Sequence, residues 1–216
     1  MPAVRNMEQP TAILIADLSG YTALTETHGS HAAADLIDQF IGIVDQSLIG
    51  DCALHQIVGD EVLLISESPD HLLSTTRSIR QQLCDRHHFL QLHGGLHYGQ
   101  LLKRKNSYFG TALNLASRMA NLAGTGSILC SEDFKAALNS RSAVQFKALG
   151  RHTFKNLSEE KELFELTFGN FRSVHIDPVC RMIIRHPESA ITDPMLEGIF
   201  FCSEKCRSLY MKSTNA

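Results

Sequence analysis

The chain has no apolar run approaching the roughly 20 residues that a membrane helix requires, so no segment is expected to span a bilayer. Its opening residues, MPAVRNMEQP, carry no stretch apolar enough for a secretory signal. A cytoplasmic, reducing setting is the expectation. An excess of charge is also missing. Twenty basic against 23 acidic residues leave a formal charge of −3, which gives no electrostatic reason for a nucleic-acid or anionic-membrane partner. The one tight basic run, Lys103-Arg104-Lys105, reads as a solvated turn. No glycine-rich turn follows the first apolar run, which excludes the dinucleotide-binding α/β pattern. Internal repeats and low-complexity segments are absent as well. The six cysteines are unevenly spread. Cys52, Cys84 and Cys130 stand alone among apolar residues and are expected to be buried small hydrophobes. Cys180, Cys202 and Cys206 sit near the end, where a reducing setting points to a metal before a disulfide.

What is present suffices for one good core and a small appendage, with 44% of 216 residues hydrophobic. Residues 11–17 form an apolar run ending in Asp17, expected as a central strand that delivers this acid into the turn Ser19-Gly20. A short helix should follow and stop at His28-Gly29. Ser30 is expected to cap the next helix, in which Ala33, Leu36, Ile37, Phe40, Val44 and Leu48 recur at helical spacing. Residues 52–58 and 61–66 read as a hairpin with Asp60 at its tip. Pro69 opens a further helix. Residues 89–97 and 100–104 read as a strand pair turning at Gly99. A helix from about Gly110 carries Ala112, Leu115, Ala116, Met119, Leu122 and Ala123 as an apolar stripe and sets Asn114 and Arg118 four apart on another face. A strand near 127–130, a helix capped by Ser131, and strands around 144–154 and 161–168 complete the pattern. The expected fold is an α+β sandwich, an antiparallel-rich sheet with helices on one face. Residues 169–174 read as a linker.

Asp17 and Asp60 each stand at a strand end beside a glycine. Two carboxylates brought together repel unless a cation lies between them, and Mg²⁺ or Mn²⁺ accepts such oxygens. Taken singly, each acid reads more simply as a solvated turn former, and Asn114 and Arg118 as a solvent-facing helix surface. Used chemically, Asn114 would orient a sugar by hydrogen bonding, and Arg118 would meet charge developing on a phosphate.

These residues lie in stretches that resemble one family. Ala16-Asp-Leu-Ser-Gly-Tyr-Thr22 and Ile57-Val-Gly-Asp-Glu61 resemble the two metal motifs of class III adenylate and guanylate cyclases. His93-Gly-Gly-Leu-His-Tyr-Gly99 resembles the strand that follows, Tyr108 to Met119 the catalytic helix, and Phe154-Lys-Asn-Leu157 the late phosphate-binding element. The resemblance implies a ferredoxin-like cyclase sandwich over residues 8–170. It also implies conversion of ATP or GTP to a 3′,5′-cyclic nucleotide and pyrophosphate. By the same resemblance, Asp17 and Asp60 hold two Mg²⁺ or Mn²⁺ ions with help from the Leu18 carbonyl. Asn114 and Arg118 serve the transition state, Lys155 meets the triphosphate, and Gln56 and Ser107 occupy the purine-selecting positions. Family sites form between subunits, so a chain bearing both halves implies a homodimer. Gln and Ser each donate and accept hydrogen bonds, which leaves the choice between ATP and GTP open. The rival expectation is a catalytically silent dimer of the same fold that senses nucleotide or metal.

In the tail, Cys180 precedes Cys202 and Cys206, whose spacing of four sets both sulfurs on one side of a helix start. Three thiolates fall short of the usual four structural zinc ligands, and His175, His186, Asp177, water or another chain is left to supply the last. Buried structural cysteines are the plainer alternative. The spacing resembles a YHS module, a treble-clef-like metal-binding domain, over residues 174–211, with Arg181 where that module usually has glycine. The resemblance implies Zn²⁺ or another thiophilic ion, surrounded by Ile183, Ile184, Ile199, Phe200, Phe201 and Leu209.

Overall fold

The computed structural model describes residues 8–139, 144–155, 157, 159–169 and 174–214. Asn156 of the late motif and residues 170–173 of the expected linker lie outside them. Strand β1 (Glu8–Ser19) leads through Gly20 into α1 (Tyr21–His28) and α2 (Ser30–Ser47). The hairpin β2 (Ala53–Val58) and β3 (Glu61–Ser66) follows, then α3 (Pro69–Cys84), β4 (Gln91–Arg104), β5 (Ser107–Phe109) and α4 (Thr111–Leu122). The sheet is completed by β6 (Ile128–Ser131), α5 (Glu132–Ala137), β7 (Gln145–His152) and β8 (Lys161–Thr167). Its order is β2-β3-β1-β4-β6-β8-β7, with β5 folded onto the end of β4. Only the β4–β6 pairing is parallel among these strands.

The period-two pattern of β1 explains the layering. Ala12, Leu14, Ala16 and Leu18 face one side, where they pack with Leu24 of α1, Leu36 and Phe40 of α2, Leu72 and Ile79 of α3, and Phe134 of α5. Ile13 and Ile15 face the other side and meet Ala112, Ala116 and Ala120 of α4. Helices therefore cover both faces, which corrects the expected one-sided arrangement. An apolar stripe shows that a helix is buried but not which face it covers. Full burial of side chains such as Phe40 and Phe134 contributes about 1.5–3 kcal/mol each.

Two local expectations also change. The region around Gly99 is one 14-residue strand, not a hairpin, and the chain reverses after Arg104 instead. Gly99 and Gly95 serve close packing. A Cβ on Gly99 would stand 3.0 Å from Ala112 Cβ, and one on Gly95 only 2.7 Å from Met119 Cβ, so α4 lies almost on the backbone of β4. At α2, Gly29 is the N-cap and Ser30 is already helical, with no side-chain capping bond. Ser131 does cap α5, accepting from Phe134 N at 3.2 Å.

The tail contains β9 (His175–Ile176), β10 (Ile183–Ile184), a 3₁₀ turn (Pro187–Ser189) and α6 (Glu204–Thr214). Buried Asp177 organises it. Its Oδ1 accepts from Val179 N and Cys180 N at 2.8 and 3.1 Å, and its Oδ2 accepts from Cys202 N at 2.7 Å. Phe201 and Ile199 belong to the small apolar cluster, whereas Leu209 is exposed. The tail is bonded to the sheet domain. His88 N donates to Ile183 O at 2.8 Å, Ile183 N to Phe89 O at 2.6 Å, and Arg185 Nη1 to Asp85 Oδ1 at 2.6 Å. Among the described residues, no helix is long and apolar enough to cross a membrane.

Candidate active site and cysteine cluster

Asp17 shares the parity of Ile13 and Ile15, which sets it on the α4 side of the sheet near the end of β1. Its Oδ1 accepts from Leu18 N at 2.9 Å, fixing the carboxylate at the turn. Gly59, at φ 64°, allows the tight β2–β3 reversal that carries Asp60. Antiparallel pairing of β1 with β3 then brings the two acids together, near enough for Asp17 to perturb Asp60. Burial, followed by this contact with Asp17, pushes the Asp60 carboxyl up to about 7. Glu61 is also raised, by burial and then by the charge of Asp17. The Asp17–Asp60 pair presents carboxylate oxygens, the donor type that Mg²⁺ and Mn²⁺ accept. Glu61 was not singled out from sequence, although it directly follows Asp60.

On α4, Asn114 is exposed and Arg118 half-buried. Arg118 Nη1 is buried without a hydrogen-bond partner, alone in this among the side-chain N and O atoms of the described residues. Asn114 lines a hollow of about 200 Å³ with Gln56, Glu61 and Ser117. Gln56 and Ser107 are both exposed. Their sequence neighbours His55 and Tyr108 meet edge-on, with ring centroids 4.9 Å apart, which ties β2 to β5. Lys155 is exposed, but its flanking residues Phe154 and Leu157 pack on Leu115 and Met119. The lysine is thus carried on a segment anchored to α4.

The three tail cysteines converge. Cys202 Sγ lies 3.4 Å from Cys180 Sγ and 3.5 Å from Cys206 Sγ. The hydrogen bond from Cys180 holds the Cys202 thiol well below its ordinary range, to about 6. A fourth group completes the cluster from outside the tail: His28 Nε2, at the end of α1, is 3.5 Å from Cys202 Sγ and 3.8 Å from Cys206 Sγ. The ligand atoms of His28, Cys180, Cys202 and Cys206 all lie within 4.8 Å of one another, an arrangement able to chelate a metal. The fourth-ligand candidates drawn from the tail are engaged elsewhere. Asp177 receives three backbone N–H groups, His186 contacts Glu188 at 3.1 Å, and His175 packs on Phe200. The only sequence signal for His28 was the shortage of a ligand.

Comparison with known proteins agrees with this architecture. The adenylate and guanylate cyclase catalytic domain family matches residues 4–167. An uncharacterised protein of Mycobacterium tuberculosis is 32% identical over 152 residues, covering 70% of this chain and 39% of that protein. An adenylate cyclase of Glutamicibacter nicotianae is 30% identical over 119 residues, covering 55% of this chain and 30% of that one. The chain therefore spans well under half the length of these relatives. Among solved structures, the adenylyl cyclase CyaB of P. aeruginosa superposes with a TM-score of 0.64 at 15% identity, over 76% of this chain and 96% of that one. At that identity the likeness is one of fold.

Proposed function

The chain belongs to the adenylate and guanylate cyclase catalytic domain family, and we propose that it works as a homodimeric nucleotidyl cyclase, converting ATP, or GTP, to the 3′,5′-cyclic nucleotide and pyrophosphate. The observation that carries this reading is that Asp17, near the end of β1, and Asp60, at the tip of the β2–β3 hairpin, are brought together by the β1–β3 pairing, with Asn114 of α4 lining a hollow beside Glu61. Asp17 and Asp60 would hold two Mg²⁺ or Mn²⁺ ions, with the Leu18 carbonyl assisting. Such ions would supply Lewis-acid activation of the ribose 3′-hydroxyl, whose proton leaves to solvent as the O3′–Pα bond replaces the bond to pyrophosphate. Asn114 orients the ribose, Arg118 donates to the phosphate oxygens as charge builds, and Lys155 holds the triphosphate. Gln56 and Ser107 face the purine edge, with ATP slightly preferred.

A shared site accounts for two further features. Arg118 Nη1 has no partner among the described residues, and Ile57, Val58 and Phe109 are exposed apolar residues that a second copy would cover. The metal-binding acids of one subunit would then work with Asn114 and Arg118 of the other. In this reading residues 8–170 are the cyclase domain, residues 174–211 are a YHS-like, treble-clef-like module, and the protein acts in the cytoplasm.

The test is pyrophosphate release from ATP and from GTP with Mn²⁺, followed by mixing of Asp17→Ala and Arg118→Ala chains. Each variant alone should be inactive. Random mixing should restore about a quarter of wild-type activity, because half the dimers then carry one intact site. No release from either nucleotide would favour a silent nucleotide- or metal-sensing dimer, a reading supported by the cysteine cluster lying against the helix that leaves the Asp17 turn. Activity without recovery on mixing, with dimers intact, would rule out the shared site.

A further inference from the structure

We propose that His28, Cys180, Cys202 and Cys206 bind one thiophilic divalent ion of the zinc class, so that the ion joins the tail to the helix leaving the Asp17 turn. Three ligands come from the tail. The fourth comes from the sheet domain, 174 residues away in sequence from Cys202. The inference stands on the geometry of these four groups and is independent of nucleotide turnover.

A tetrahedral site with metal–sulfur bonds of about 2.3 Å has ligand–ligand edges of about 3.8 Å. The four hydrogen-bond-range separations here, 3.4, 3.5, 3.5 and 3.8 Å, lie close to that edge, and no separation exceeds 4.8 Å. Cys180 and Cys206 are buried and the other two groups half-buried, so the cage is shielded yet reachable from water. Four protein ligands leave no open coordination position, which makes this a structural centre and not a second catalytic one.

The supporting contacts are already in place. Asp177 receives the backbone N–H groups of Cys180 and Cys202, and Ser203 Oγ accepts from Cys206 N at 3.3 Å. Each cysteine backbone is therefore fixed by a hydrogen bond of its own, the kind of outer support that metal ligands use. Lys205 Nζ of α6 donates to Thr27 O, next to His28, a second tie between the tail and α1.

The same docking reaches the proposed active site. Arg181, the residue after Cys180, lies directly over Gly20, where a Cβ would run into the Arg181 side chain. Gly20 is three residues from Asp17. Arg181 itself adopts a left-handed φ of 68°, unusual for a non-glycine residue and costing on the order of 1–2 kcal/mol. Arg181 thereby places aliphatic carbon against the turn, which glycine at that position would not do. Seating the tail on α1 thus fixes the backbone that follows Asp17, and an ion that holds the tail holds this turn too.

The experiment measures metal rather than turnover. Full-length protein prepared anaerobically in metal-replete medium should contain one zinc per chain. Its cobalt(II) form should show the thiolate charge-transfer and intense visible bands of four-coordinate cobalt. His28→Ala should weaken zinc at least tenfold against a chromophoric chelator and shift those bands. His28→Cys should restore tight binding and add charge-transfer intensity from a fourth sulfur. Hydrogen exchange over residues 20–29 should quicken on zinc removal in the wild type, and should no longer respond to zinc in His28→Ala. Unchanged zinc affinity and cobalt spectra in both His28 variants would overturn the assignment. So would a wild-type protein with no bound metal and three freely titratable tail thiols. A catalytically dead protein that binds zinc in this way would leave the inference standing and overturn only the cyclase reading.

Discussion

Replacing Asp60 by Asn should stabilise the protein in the absence of magnesium and manganese, and only at higher pH. The Asp60 carboxyl is raised from its ordinary 3.8 to about 7, by burial and then by Asp17. Its folded value exceeds its unfolded one, so the folded state binds more protons between these limits. The associated stability is fully present below 3.8 and is lost as pH rises through about 7. Sealed from water, the difference would amount to about 4 kcal/mol. Asp60 is only half-buried, and solvent screening brings the expected penalty at pH 8 to about 1–2 kcal/mol. Asparagine keeps the shape without the charge. At pH 8, in buffer freed of divalent ions by resin so that tightly held zinc stays in place, Asp60→Asn should melt about 2–6 °C above wild type. At pH 4 the two curves should nearly coincide. Saturating Mn²⁺ should reverse the order at pH 8, because only the wild type gains binding free energy from the ion. Scanning calorimetry at the two pH values, with and without Mn²⁺, decides the matter. A variant that is less stable at pH 8 without metal, or equally stabilised at pH 4, would refute the carboxylate-pair reasoning.

Gly95→Ala should destabilise the fold by about 2 kcal/mol, read as a lower urea midpoint with an unchanged slope, because the new methyl group meets Ala116 O and Met119 Cβ. An unchanged midpoint would mean that α4 can lift off β4 freely. Discrimination between ATP and GTP should stay below about a thousandfold in kcat/KM, since neither Gln56 nor Ser107 presents a fixed charge to the purine. A larger ratio would show that other residues read the base.

The order of elements was legible because most of their signals are local: a continuous apolar run for β1, a tight Gly59-Asp60 turn between β2 and β3, helical stripes for α2 and α4, and Ser131 before α5. The errors fall where a residue answers to something distant. Gly99 looks like a turn residue, but its missing side chain makes room for Ala112 of α4. The apolar stripe of α4 was visible, yet the choice of sheet face depends on the parity of β1, which no feature of α4 encodes. The site divides in the same way. Asp17, Asp60, Asn114 and Arg118 lie in short stretches that carry the family resemblance, and the fold brings the two acids together. The cause of Asp60's shift, burial and then the nearness of Asp17, belongs to tertiary packing. His28 lies at the far extreme, an ordinary helix-terminal histidine until the tail folds back onto it.

Arg118 is where the stability of the single chain and the proposed chemistry make opposite demands. A buried guanidinium nitrogen without a partner costs on the order of 1–3 kcal/mol relative to a satisfied one. Methionine is of similar length and carries no donor, and its flexible thioether can fill the same space. If Arg118 serves the fold, Arg118→Met should lower stability and activity together. If it waits for a phosphate supplied across a subunit interface, the variant should melt no lower than wild type, and about 1 kcal/mol of stabilisation is reasonable. Its cyclase activity should fall at least about a hundredfold, mainly in kcat, as expected on losing a donor aimed at developing charge. Calorimetry and pyrophosphate release on the same preparation separate the two. A variant that loses several degrees in melting temperature while keeping its kcat would place Arg118 among the structural residues and leave Asn114 alone on the reacting face of α4.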